Sequence, residues 1–150
     1  MNIMTKQPFI VAPKDYGPAL SVLGAQITVL ASNAKTFAYE VTLQAGEEGV
    51  GPPPHSHDWD ESFFVLDGQV EFALKSGAVV CKAGTLVHVP ADTVHSFRFC
   101  AGGGRMLEIT GQGGRATQMF RNISNEFPGE PTDIPRLLNM FQQNGVTVAA

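Results

Sequence analysis

The stretch that decides the fold is Pro52-Pro53-Pro54-His55-Ser56-His57-Asp58-Trp59-Asp60-Glu61-Ser62-Phe63-Phe64-Val65-Leu66. Side chains alternate between the two faces of an extended chain, so His55 and His57 project to one side. The three prolines keep the approach extended by locking φ. Asp58-Trp59-Asp60 reads as a solvated turn, and Glu61 opens an apolar run with strand composition. His95 arrives from a later segment, and the chain has four histidines in all. Three of them, with Glu61, can be brought to one point by a sheet, and a rigid sheet suits a metal site. The expected metal ligands are therefore His55, His57, Glu61 and His95. The remaining histidine, His88, lies between Val87 and Val89 and is expected to face outward as a structural residue.

Outward from this stretch, Gly and Pro punctuate short β-like segments. Residues 1–18 read as a proline-containing arm. Strands are expected over 26–30 and 37–43, the second with Phe37, Tyr39, Val41 and Leu43 on one face. Strands 61–66 and 69–74 are expected to flank an Asp67-Gly68 hairpin turn. Strands over 78–82, 85–89, 94–99 and 106–110 follow, with Gly102-Gly103-Gly104 as a flexible turn. Short, regularly spaced strands imply an all-β sandwich or closed barrel. The tail changes period. Ile134, Leu137, Leu138 and Phe141 have helical spacing, Thr132 or Asp133 can cap the start, and Gly145 can end the helix. A shorter helix is expected over 116–123, and both helices should cover a barrel opening or its outer face. The chain reads as one domain, 1–150, with a barrel core over about 20–111 and a helical tail over about 115–145.

The histidine pattern resembles the cupin superfamily. Its first motif is matched by Gly49, His55, His57, Glu61 and Gly68, and its second by Gly84, Pro90, His95 and two departures. Asp92 stands where the family has Gly, a change a tight turn accepts. Phe99 stands where the family has Asn, which makes that part of the pocket apolar. The resemblance implies a double-stranded β-helix, or jelly-roll barrel, with one metal ion. Flanking segments are weakly similar to small bacterial quercetin dioxygenase-like cupins. Phe63, Val65, Phe97 and Phe99 share faces with Glu61 and His95 by period two, and are candidate walls of a substrate pocket. Tyr39 is a candidate polar handle on that wall.

Four bound ligands saturate a tetrahedral ion, whereas an octahedral ion keeps two open positions. This favours Fe, Mn or Ni, with Zn, Co or Cu as alternatives. The leading functional expectation is a dioxygenase-type reaction on a flavonol- or diketone-like molecule. Glu61 would partly dissociate from the metal and act as the base for a substrate hydroxyl, a role that calls for a raised carboxyl pKa. A metal-dependent isomerase or lyase and a non-catalytic ligand-binding cupin are the alternatives. Net charge is −4 and the pI about 5.5, which argues against nucleic acid or an anionic membrane surface. No apolar run is long enough to span a membrane, and the start lacks the apolar core of a signal peptide. A cytoplasmic location is expected, with Cys81 and Cys100 as free thiols. Exposed strand edges need covering, so a homodimer is expected.

Overall fold

Strand alternation and glycine placement together build a curled antiparallel barrel. The computed structural model describes residues 5–149. In chain order it contains β1 (Leu20–Val22), β2 (Ala25–Ala31), a single helical turn α1 (Asn33–Thr36), β3 (Glu40–Gly46), β4 (His55–His57), β5 (Glu61–Leu74), β6 (Gly77–Lys82), β7 (Leu86–Val89) and β8 (Ser96–Thr110). Two helices follow, α2 (Ala116–Glu126) and α3 (Ile134–Gln143), and then β9 (Val146–Val148). The main sheet has the order β1-β2-β3-β8-β5-β6, with β7 also paired to β5. All its pairings are antiparallel. The result is an all-β jelly-roll with short C-terminal helices.

Two expected turns are not turns. Asp67-Gly68 lies inside β5, and Gly102-Gly103-Gly104 lies inside β8. The two strands pair along almost their whole lengths, and Gly68 sits opposite Gly104, where the register shifts. Gly68 has φ 70°, and a Cβ there would collide with the Gly103 carbonyl and lie 2.9 Å from the Gly104 Cα. Both strands therefore bend at one level through paired bulges instead of reversing. Each contributes to both ends of the barrel.

The expected strand over 37–43 is also displaced. Residues 33–36 form α1, Phe37 takes a left-handed φ of 60°, and β3 begins at Glu40. Its inward residues are Glu40, Thr42 and Gln44, not Phe37 and Tyr39. A polar inward face is stable here because its groups have partners. Glu40 accepts from the backbone N–H groups of Thr117 (3.1 Å) and Asn33 (3.4 Å), and so caps α2 from across the fold.

Two apolar cores result. One fills the barrel around Phe63, Val65, Phe72, Val89, Phe99 and Met106. The other lies between β1–β2 and the helices, around Ile27, Trp59, Phe120, Ile123, Leu137 and Phe141. The Asp133 side chain accepts from the Arg136 N–H at 3.1 Å and caps α3, as expected. β9 was not anticipated. It pairs with β4, with His55 opposite Val148 and His57 opposite Val146, so the tail braces the histidine strand directly.

Candidate metal centre

The backbone explains why the three histidines meet. His55 and His95 form a bridge with reciprocal bonds, His55 N–H to the His95 carbonyl at 3.0 Å and His95 N–H to the His55 carbonyl at 2.9 Å. Gly51 makes this approach possible, because a side chain there would overlap the Phe97 carbonyl. His57 projects to the same side two residues on. The ring centroids of His55 and His95 are 4.3 Å apart, and those of His57 and His95 are 5.1 Å apart. One ligand nitrogen from each ring lies within 4.8 Å of the other two, so this cluster can hold a metal ion.

Each ring is fixed by its other nitrogen. His55 Nδ1 donates to the Pro53 carbonyl (2.8 Å), His57 Nδ1 to the Trp59 carbonyl (3.0 Å) and His95 Nδ1 to the Thr93 carbonyl (2.8 Å). A carbonyl only accepts, so each Nδ1 carries the proton and each Nε2 presents a lone pair. Backbone carbonyls in this position set the tautomer and orientation of metal-binding histidines. The His95 Nε2 is buried without a hydrogen-bond partner among the described residues. The Glu61 carboxylate abuts the His57 Nε2 and lies 3.7 Å from the His95 Nε2. Converging lone pairs beside a carboxylate need a cation or a proton between them. Three nitrogens on one ion of bond length about 2.1 Å are about 3.0–3.4 Å apart, so rings now within 4.8 Å of one another draw inward when they bind. The donor set fits a divalent transition metal.

The electrostatics agree with that chemistry. Burial holds the His55 pKa down at about 4, helped by His95, so the ring is neutral at neutral pH. Burial also pushes on Glu61, but its contacts with His57 and His95 win and hold its carboxyl at about 2. Burial lowers His95, yet the Glu61 contact outweighs it and raises its pKa.

His55, His57 and Glu61 form one wall of a cavity of about 70 Å³, with His95 buried behind them. That is room for roughly five waters at 10–15 Å³ each. Phe97 lines it. Phe63, Val65 and Phe99 do not; they lie in the closed barrel core, packed with Val70, Phe72 and Met106. Tyr39 lies away from the cavity. It is 48% exposed and borders an outer groove with Lys6, Phe9 and Lys35. The cavity wall comes instead from the tail, through Met119, Phe120, Phe141 and Val146. His88 faces outward and bonds Ser62 Oγ at 3.0 Å, as expected.

Three residues of this site escaped the sequence reading. Trp59 is buried, stacked on His57 at 4.2 Å with an interplanar angle of 7°. Gln44 and Glu108 line the cavity, and Gln44 Nε2 donates to Glu108 Oε2 at 2.6 Å. Burial and the negative Glu61 raise the Glu108 pKa well above 4.5, against the opposing pull of the Gln44 bond. Alternation with Leu107 and Ile109 reads Glu108 as an outward acid, so the sequence carried no signal for it.

Residues 39–110 match the family described as the cupin domain. No curated protein sequence matches significantly. Among solved structures, an RmlC-like cupin from Shewanella frigidimarina superposes with a TM-score of 0.66 at 14% identity, covering 76% of this chain and 99% of its own. The polyketide cyclase RemF from Streptomyces resistomycificus gives 0.60 at 18% identity, covering 70% and 80%. A sugar phosphate isomerase of the cupin superfamily from Silicibacter pomeroyi gives 0.56 at 21%, covering 61% of each. Residues 39–110 are therefore a cupin domain, and the rest of the chain completes the fold that these structures share.

Proposed function

We propose that the chain is a metal-dependent enzyme acting on a small organic molecule that chelates through oxygen. His55, His57, Glu61 and His95 are the ligand set, with Fe, Mn or Ni favoured. The observation that carries this is the convergence of three oriented Nε2 lone pairs and the Glu61 carboxylate, with His55, His57 and Glu61 lining an apolar cavity. A divalent ion bound there supplies Lewis acidity to substrate oxygens and, when redox-active, electrons to dioxygen. The protein's part is to bind, orient and exclude water. Phe97, Phe120 and Phe141 favour a flat or apolar body. Glu61, held ionised by His57 and His95, accepts the hydrogen bond of a substrate hydroxyl, and its low pKa suits that role better than that of a strong base.

The first reading is a dioxygenase-type reaction on a diketone- or flavonol-like substrate. Oxygen uptake by iron-, manganese- or nickel-loaded protein against such compounds tests it, and no uptake with any of them removes it. The second reading is a metal-dependent isomerase or lyase. It is favoured by Glu108, a second buried carboxyl in the same cavity suited to proton transfer. The polyketide cyclase and the sugar phosphate isomerase of the same fold support it as well. Turnover without oxygen is its signature. A purified protein that retains a small molecule and turns over nothing would instead be a binding cupin.

We further propose a cytoplasmic homodimer. The free thiols Cys81 and Cys100 suit a reducing compartment. β6 is an edge strand with Val79 and Val80 both exposed, and Leu86 adds apolar surface beside it.

A further inference from the structure

The geometry points to a second polar pole in the cavity, formed by Glu108 and Gln44, that selects uncharged chelating ligands carrying a hydroxyl or carbonyl away from the chelating oxygens. This inference rests on the metal-site reading and adds the substrate class to it. Glu61 pairs with Thr110 and Phe63 with Glu108 across β5 and β8, so Glu61 and Glu108 share the inward face as diagonal neighbours. Such neighbours are about 7–8 Å apart, the span of a small ring with a substituent. Thr42 pairs with Glu108 and Gln44 with Met106, which sets Gln44 diagonally on the far side of Glu108. The Gln44 amide occupies one Glu108 oxygen and fixes the side chain, leaving the other oxygen for a ligand. Burial raises the Glu108 pKa. A ligand hydroxyl both donates and accepts, so it can pair with that free oxygen whether Glu108 is protonated or ionised.

The rest of the wall supplies the selectivity. Among the described residues that line the cavity there is no lysine and no arginine. An anionic substituent reaching this pole would lose its hydration, gain no counter-charge and face Glu61. Phosphorylated and carboxylated ligands are therefore rejected, and hydroxylated ones retained.

Three hydroxypyranones with the same chelating face test this. Allomaltol carries a methyl group, kojic acid a hydroxymethyl group and comenic acid a carboxylate at one ring position. Each is titrated calorimetrically into nickel-loaded protein, with metal content measured before and after. Kojic acid is expected to bind about three- to tenfold more tightly than allomaltol, the range of one added hydrogen bond. Comenate is expected to bind at least about tenfold more weakly than kojic acid. In Glu108→Leu the preference for kojic acid over allomaltol should fall to parity. Glu108→Gln, which keeps the shape, is the folding control. Loaded protein that binds comenate as well as kojic acid, shows no preference for kojic acid over allomaltol, or keeps that preference in Glu108→Leu overturns the selectivity alone. Protein that takes up no nickel overturns the metal reading, and this inference with it.

Discussion

At the scale of single residues, Trp59 reports on the centre. It is the chain's one tryptophan and stacks on His57, so nickel or cobalt binding should quench its fluorescence. His95→Ala removes a buried donor whose Nε2 has no other partner. Its metal affinity should fall by more than the about 10–100-fold typical of losing an outer partner, read by the same quenching. Wild-type-like affinity in that variant would remove His95 from the ligand set. Glu108 gives a pH dependence in metal-free protein. Its folded-state pKa lies above 4.5, so above that pH the folded chain holds more protons than the unfolded one. The stability it contributes is present in acid and is lost as pH rises through the raised value. Glu108→Gln cannot ionise, so its stability relative to the parent should climb from about pH 5 upward in denaturant titrations. A pH-independent difference would mean that Glu108 ionises as it does in water.

At the scale of elements, the bent strands and the returning tail matter most. Gly68→Ala incurs the left-handed cost of about 1–2 kcal/mol and a collision with Gly104 as well. Gly113→Ala, at φ 87° in open space, isolates the first cost alone. The expected order in urea midpoints is Gly68→Ala below Gly113→Ala below the parent. Equal midpoints for the two variants would argue against the close approach of β5 and β8. Removing residues 146–150 deletes β9, the sheet partner of β4. Metal affinity should then drop by about 10–100-fold, because His55 and His57 lose the strand that orients them. Phe141→Ala empties a site shared by the helical core and the cavity, and should cost about 3–5 kcal/mol.

At the scale of the whole molecule, metal and assembly act on the same fold. A metal at about 100 times its Kd should add about 2.7 kcal/mol of stability, reversed by a chelator. No such shift would mean that the cluster does not bind metal in the folded state. Light scattering should give twice the 16.0 kDa of one chain. Leu86→Lys and Val80→Lys, on the exposed β6–β7 edge, should reduce that mass to one chain without unfolding it. Among the described residues no helix is long and apolar enough to cross a membrane.

The sequence by itself determined what depends on local periodicity and short motifs. The spacing of His55 and His57, the glycine and proline signals around them and the helical repeat of the tail were enough for an all-β barrel with capping helices. The outward placement of His88 followed from alternation, and Asp92 does adopt the left-handed φ, 64°, that its motif position demands. Tertiary structure alone decided what depends on partners distant in the chain. Glu40, Gln44 and Glu108 read as polar, and hence solvated, until Thr117 and one another appear beside them. Asp67-Gly68 and Gly102-Gly104 look like turns because a left-handed glycine serves a bulge as well as a reversal, and only the strand opposite distinguishes the two. Phe63, Val65 and Phe99 share faces with Glu61 and His95, but which part of those faces is cavity and which is closed core depends on where α2, α3 and β9 come to rest. Burial is a property of the assembled packing, and no periodicity in the chain encodes it.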